Sequence, residues 1–185
     1  GIEVRLEISA RRIAGLQTRR RSLAGRTGCG LCGVDSLDAV LRLVPVSPAS
    51  GLVSRQAIER AMSALPSLQT INKMNGASHA AGWAAADGTL TAVREDVGRH
   101  NALDKLAGAL ARTGAAPGGG FVVVTSRCSY EMVQKAASLG AVAIAAVSAP
   151  TSLAIETAEQ AGIALAAFVR NGRLTVYANA DRITT

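Results

Sequence analysis

From Phe121 onward the chain switches regularly between two periodicities, and that switching restricts it to a sheet with helical crossovers. FVVVTS is a short apolar run rich in β-branched residues, and YEMVQKAASLG carries apolar residues at helical spacing before ending on Gly140. VAIAAVSA repeats the strand pattern, and SLAIETAEQAG repeats the helix, closed by Gly162. IALAAFV and RLTVYA then follow as strands joined through Asn171-Gly172, a pair that favours a tight turn between antiparallel partners. Apolar strands separated by helices of about ten residues predict a mostly parallel sheet covered on its faces, made mixed by the C-terminal hairpin. In such an α/β fold, ligands collect at the C-terminal ends of the strands, which here are TSRCSYE and VSAPTS. Either could cradle a phosphate, and either could be ordinary helix capping.

Upstream, SRQAIERAMSALP predicts a short helix capped by Ser54, with Ile58, Met62 and Leu65 on one side and Pro66 as its stop. VLRLVPVSPASG before it begins with strand-like alternation and ends in a proline-punctuated loop. Asp87-Gly88, between Trp83–Ala86 and Leu90–Val93, predicts a hairpin, and the stretch from about Asn101 to Ala111 a helix. With 185 residues, 49% of them hydrophobic, the chain can bury one sizeable core. It holds no uninterrupted apolar run long enough to span a bilayer. The opening GIEVRLEISARR lacks Met and a secretory core, and its alternation from Ile2 to Ile8 reads as a strand under way, so the expectation is a cut N-terminus.

The net charge of +7 is uneven. Seven arginines precede Gly28 against two glutamates, forming a basic arm over residues 1–26 that leads into GRTGCGLCG. Such an arm attracts anions, but no aromatic interleaves with its arginines, so nucleic acid is not expected as a partner. The three cysteines, Cys29, Cys32 and Cys128, are odd in number and do not form a secreted disulfide framework; reducing cytoplasm fits better.

Cys29 and Cys32 admit several chemistries. Structural zinc would need two further ligands, and only Cys128, His79 and His100 could supply them from three separate segments. A zinc deaminase would need an upstream HxE, and no histidine precedes Cys29. A thioredoxin-like pair would need a well-signalled following helix, which Val34–Leu43 does not provide. Four glycines around the pair leave a cysteine sterically open, and Arg26 favours the thiolate, so a sulfur-linked cargo is chemically natural. Two inert cysteines remain an alternative.

The second concentration of polar groups is REDVGRHNALDK, Arg94 to Lys105. If a helix begins near Gly98, Asn101 and Lys105 share a face and Asp104 can reach back toward His100. Arg99 and His100 would stand at its N-terminus, facing an anionic ligand, while Glu95 and Asp96 could accept N–H groups from a purine or pterin ring. A purely structural ion-pair network is the competing reading. His79, among small residues in NGASHAAGW, could sit beside a ligand or in the core.

Together, CGLCG, NGASHAAGW, REDVGRHNALDK and TSRCSYEMVQKAASLG resemble the formate dehydrogenase accessory sulfurtransferase family (FdhD-like), from about residue 27 to the C-terminus. The resemblance implies a cytidine-deaminase-like three-layer α/β core with a mixed sheet over residues 27–185, preceded at 1–26 by the remnant of a smaller N-terminal subdomain that is largely missing. It implies a cytoplasmic homodimer that takes persulfide sulfur from a cysteine desulfurase. The sulfur passes to the bis-guanine-dinucleotide molybdenum cofactor, a bound substrate, on behalf of formate dehydrogenase; no resident metal and no membrane are expected. Cys29 corresponds to the acceptor and Cys32 to its partner. His79, Glu95, Asp96, Arg99, His100, Lys105, Ser126 and Ser129 are the expected cofactor-binding residues. Arg99, Lys105 and the N–H groups near Ser126 and Ser129 would meet phosphates. Cys128 stands where the family commonly has a small residue and is expected to be a buried apolar filler. The alternatives are a cofactor-binding chaperone without covalent sulfur chemistry and a zinc-binding structural protein.

Overall fold

The computed structural model describes residues 7–9, 13, 51–113 and 119–185. The chain divides into two compact units, Gly1–Arg42 and Leu43–Thr185. The second unit is the one described below. The expected N-terminal strand over Ile2–Ile8 and the loop over residues 40–50 lie almost wholly outside the described residues, as do Cys29 and Cys32.

The second unit opens with β1 (Val53–Ser54), α1 (Arg55–Ala64), a 3₁₀ turn (Leu65–Leu68) and α2 (Thr70–Asn75). Ser54 caps α1 as expected, its Oγ accepting the Ala57 N–H at 3.0 Å. α1 ends at Ala64, two residues before Pro66, as expected; Pro66 then sits at the start of the 3₁₀ turn, where its missing N–H costs nothing. Then come β2 (His79–Ala84), β3 (Leu90–Asp96) and α3 (Arg99–Arg112). The remainder is β4 (Phe121–Val124), α4 (Tyr130–Ser138), β5 (Ala143–Ala146), α5 (Ser152–Ala161), β6 (Ala164–Arg170), β7 (Arg173–Ala178) and β8 (Ile183–Thr184). β8 pairs in parallel with β1.

One six-stranded sheet runs β3-β2-β4-β5-β6-β7. Only the β4–β5 and β5–β6 ladders are parallel; β2–β3, β2–β4 and β6–β7 are antiparallel. The expectation of a mostly parallel sheet is thus corrected to a mixed one with three antiparallel ladders against two parallel. The β2–β3 hairpin inserts β2 beside β4, and no local periodicity announces which strand a hairpin will join. Ile58, Ala61, Met62 and Leu65 from α1 and the turn after it cover one face with Phe121, Val123, Ala145 and Ala166. Leu103 and Leu106 of α3, Met132 and Val133 of α4, and Ala154 and Ala158 of α5 cover the other with Val122, Val124, Ile144 and Leu165. This makes three layers. The alternation along FVVV is resolved into two cores because successive strand residues face opposite ways. The many alanines of β5 and α5 let helix and sheet approach closely.

Two glycines are required by contact, and one of them, Gly88 at φ 88°, by the backbone as well. A Cβ on Gly120 would lie 2.5 Å from the Trp83 ring, and one on Gly88 would lie 2.4 Å from the Ala57 carbonyl oxygen of α1. The Asp87-Gly88 turn therefore docks on α1 by direct backbone contact. Asp87 holds the turn locally, its carboxylate accepting the Thr89 N–H and hydroxyl, both at 2.8 Å. No helix among the described residues is long and apolar enough to cross a membrane.

Candidate functional site

The C-terminal ends of β4, β5 and β6 and the first residues of β2 lie along one edge of the sheet. Ala81 pairs with Val124, so His79 and Ala80 reach the level of Thr125, whose N–H donates to the Ala80 carbonyl and whose Oγ1 accepts the Ala80 N–H at 2.9 Å. The two loops expected to receive a ligand are joined here: Cys128 and Pro150 form a bridge, with the Cys128 N–H donating to Ala149 and the Thr151 N–H to Cys128. α3, α4 and α5 begin in the REDVGRH, TSRCS and SAPT segments, so three helix N-termini are presented at this edge.

REDVGRHNALDK resolves into scaffold and free charge. Glu95 is 7% exposed, and its oxygens accept the Ile71 and Asn72 N–H groups at 2.8 Å each and the Thr70 hydroxyl at 3.4 Å. Burial opposes its ionisation, but these donors together hold its carboxyl below the ordinary value. The carboxylate thereby serves as the cap of α2. That helix in turn fixes Ser78 before His79: the Asn72 side-chain Oδ1 accepts the Ser78 N–H at 3.1 Å, and Asn75 Nδ2 donates to the Ser78 hydroxyl at 3.0 Å.

Asp96 binds Lys105 Nζ at 2.6 Å, the Gly98 N–H at 2.9 Å and Asn101 Nδ2 at 3.2 Å, so Asn101 and Lys105 do share a face as the spacing predicts. Lys105 foremost, with Gly98 and Asn101, pulls the Asp96 carboxyl down to about 2. A depressed carboxylate stabilises the fold above its unfolded value and ceases to do so as pH falls through its folded value. Acid titration of stability is therefore expected to show a component between about pH 4 and pH 2. In Asp96→Asn that component should disappear from unfolding curves measured across this range.

Asp104 does not reach His100. It pairs with Lys135 of α4 at 2.6 Å, while His100 Nε2 lies 3.0 Å from the Glu131 carboxylate and 3.3 Å from Ser129 Oγ. Two contacts one helical turn apart thus tie α3 to α4, because packing of the two helices sets a carboxylate opposite an ammonium at one and opposite an imidazole nitrogen at the other. Ser129 and Ser126 are both 4% exposed; Ser126 Oγ donates to the Arg127 carbonyl at 2.9 Å. The α5 cap is Thr151, whose Oγ1 accepts the Ala154 N–H at 3.2 Å.

Arg99 is different. It is the first residue of α3, and its Nε is buried with no hydrogen-bonding partner. Its positive charge reaches both His79 and Cys128. Burial first, and Arg99 second, lower the His79 imidazole below its ordinary value. Cys128 is fully buried, and that burial pushes its thiol up to about 12 despite Arg99, which agrees with a space-filling role.

A cleft of about 640 Å³ at the same edge was missed by sequence reasoning. Phe168, Arg170, Asn171, Arg173, Leu174 and Thr175 line it. It is made by a β-bulge: Ala167 pairs with Thr175 and Arg170 with Arg173, leaving one extra residue on β6. Phe168 takes up the bulge in the left-handed region at φ 54°, a strain of about 1–3 kcal/mol for a bulky side chain. Its ring faces Tyr177 at 6.4 Å and the Arg170 guanidinium at 6.0 Å. Asn171 and Gly172 follow at φ 53° and 68°, the two positive values that a type I′ turn requires. The available signal was FVRNGR itself, two arginines flanking a turn after an apolar strand; its Asn-Gly was readable only as a turn.

These features define a three-layer α/β protein whose strand ends carry an aromatic ring and two arginines at a cleft, and a further arginine whose buried Nε has no hydrogen-bonding partner. Among the described residues no cluster of histidine, cysteine or carboxylate side chains could hold a metal ion. The chain belongs to the FdhD/NarQ family, whose model matches residues 2–184. It is similar to the Sulfur carrier protein FdhD of Bordetella petrii, 52% identical over 183 residues that make up 99% of this chain and 66% of that protein. The Cupriavidus necator protein of the same name is 54% identical over 183 residues, 99% of this chain and 64% of its own length. The chain thus spans slightly less than two thirds of these relatives. A crystal structure ascribed to a formate dehydrogenase accessory protein of Desulfotalea psychrophila matches with a TM-score of 0.69 at 28% identity, over 78% of this chain and 61% of that one.

Proposed function

We propose that the chain is a sulfur carrier that accepts a persulfide sulfur from a cysteine desulfurase and delivers it to the bis-guanine-dinucleotide molybdenum cofactor, its bound substrate, for a formate dehydrogenase. The observation that carries this reading is the 52% and 54% identity, along 183 residues, to proteins named as sulfur carriers. On this reading the chain works in the cytoplasm as a homodimer, and its three layers are a cytidine-deaminase-like core employed without zinc ligands.

In the loading step the Cys29 thiolate attacks the terminal sulfur of the donor's persulfide. The donor S–S bond breaks, a new S–S bond forms on Cys29, and the donor cysteine leaves as thiolate, so no outside oxidant or reductant is needed. The cofactor's guanine-nucleotide end fits the Phe168–Thr175 cleft, where the ring offers a stacking face and Arg170 and Arg173 offer charge to phosphates. His79, Arg99, His100, Ser126 and Ser129 line the rest of the edge. Glu95, Asp96 and Lys105 serve it as scaffold, because their polar atoms are committed to α2 and α3. The test is mass spectrometry of the chain after incubation with a cysteine desulfurase and cysteine. A gain of about 32 Da that dithiothreitol removes is expected from persulfide exchange chemistry. A chain that gains no sulfur, yet restores formate dehydrogenase activity in cells, would instead be a cofactor-binding chaperone.

A further inference from the structure

α2 is an anomaly in the energetics of this fold. It has six residues, too few for a helix to be stable alone, and none of them is buried, so it adds nothing to either core. Yet it is fastened at both ends: the buried Glu95 carboxylate accepts two of its N–H groups, and Asn72 and Asn75 tie its far end to Ser78. The use of such a helix lies in what it presents to the outside.

It presents apolar surface. Of the seven large apolar side chains exposed among the described residues, four are Leu68, Ile71, Met74 and Val97. Ile71 and Met74, three residues apart, share a face of α2, and Leu68 ends the 3₁₀ turn that packs on β3. Val97 follows Glu95, the residue that holds α2, by two positions. Met74 is 89% exposed and Val97 71%. The charge beside them is positive. Lys73 donates to the Ser67 carbonyl and Arg94 to the Val93 carbonyl, and neither has a carboxylate partner among the described residues, while Glu95 and Asp96 are committed to α2 and to Lys105. A second copy meeting this patch across a two-fold axis would bring two positive rims together. Strand addition is blunted too: β3 is an edge strand, but Arg94 Nη1 and Lys105 Nζ cover its Val93 and Glu95 carbonyls at 2.7 and 3.1 Å. The patch suits instead a side-chain contact from an acidic partner.

We propose that Leu68, Ile71, Met74 and Val97, flanked by Lys73 and Arg94, form the surface on which the sulfur-donating cysteine desulfurase docks, through an apolar side chain ringed by carboxylates. This rests on the sulfur-carrier reading above and gives its loading step a place on the molecule. In that reading only loading obliges two proteins to touch, because the sulfur arrives bonded to the donor's cysteine, whereas the acceptor is a small molecule held by the chain itself. Met74, unbranched and polarizable, adapts to a partner's contour.

The test measures sulfur loading of the full chain by a cysteine desulfurase and cysteine, with the chain as the varied substrate, beside loading by inorganic polysulfide, which needs no docking. In the second case the same thiolate attacks a terminal sulfur and a polysulfide one sulfur shorter leaves, so the chemistry at the cysteine is unchanged. Met74→Asp is expected to raise KM for the desulfurase reaction about tenfold or more with kcat unaltered, and Lys73→Glu to raise it less. Neither should alter loading by polysulfide. Added salt should raise the wild-type KM as well. An unchanged KM in Met74→Asp, or polysulfide loading that falls in step with it, would overturn the docking surface. A KM indifferent to both salt and Lys73→Glu would overturn the acidic partner. Light scattering checks the other occupant: a wild-type dimer that becomes a monomer in Met74→Asp would make the patch a self-interface and refute the proposal. A wild-type chain loaded by polysulfide and not by the desulfurase would refute the donor as occupant, while a chain that neither one loads sinks the sulfur-carrier reading itself.

Discussion

Cys29→Ala is expected to abolish sulfur loading, while Cys128→Ala loads fully. The argument rests on the thiolate being the nucleophile and on there being three cysteines in all. Cys128 is excluded on physical grounds: it is wholly buried, and with its thiol pushed up to about 12 it holds almost no thiolate at neutral pH. Sulfur carried by the chain must then sit on Cys29 or Cys32, both outside the described residues. Cys32→Ala separates them, since a partner cysteine that only shares or resolves the persulfide leaves a first turnover on Cys29. Intact-mass measurement after one desulfurase turnover checks all three variants. A Cys29→Ala chain that still gains sulfur at full yield would overturn the assignment, as would a Cys128→Ala chain that gains none while remaining folded.

The largest stability effect is expected at Gly88. An alanine there would place its Cβ 2.4 Å from Ala57 O and 2.9 Å from Ala57 Cα, and the backbone already stands at φ 88°. Both contacts are with the main chain of α1, which cannot rotate away as a side chain would. Overpacking and left-handed strain together cost about 3–5 kcal/mol. Gly76→Ala is the matched control: it also has positive φ, at 62°, but nothing lies within 4 Å of its Cβ, so about 1 kcal/mol is expected. Urea unfolding of both variants gives the comparison. Equal losses would show that the Asp87-Gly88 turn does not bear on α1 as described.

Ser54, Asp87-Gly88, Gly162 and Asn171-Gly172 all do what their local chemistry announces, because caps and tight turns are decided within about four residues. Strand and helix identities from Phe121 onward were legible for the same reason. The functional edge was legible only in part. Arg99 opens a helix and the TSRCS segment links a strand to a helix as the local pattern announces, yet nothing in REDVGRHNALDK distinguishes the carboxylates spent on α2 and α3 from the arginine whose Nε has no partner. That distinction depends on α2 presenting its N-terminus to Glu95 and on α4 presenting Lys135 to Asp104.

By itself the sequence determined the alternation of strand and helix, the turns, the burial of Cys128 and the likeness that leads to a sulfur carrier. The tertiary structure alone decided that β2 enters between β3 and β4, that half of the polar cluster is scaffold, and that Phe168 bulges to open a cleft beside two arginines. The physical reason is range. Periodicity, capping and turn chemistry are set by neighbours along the chain, whereas strand partners, register slips and the pairing of buried charges are chosen between segments tens of residues apart, where the sequence carries no local mark of the choice.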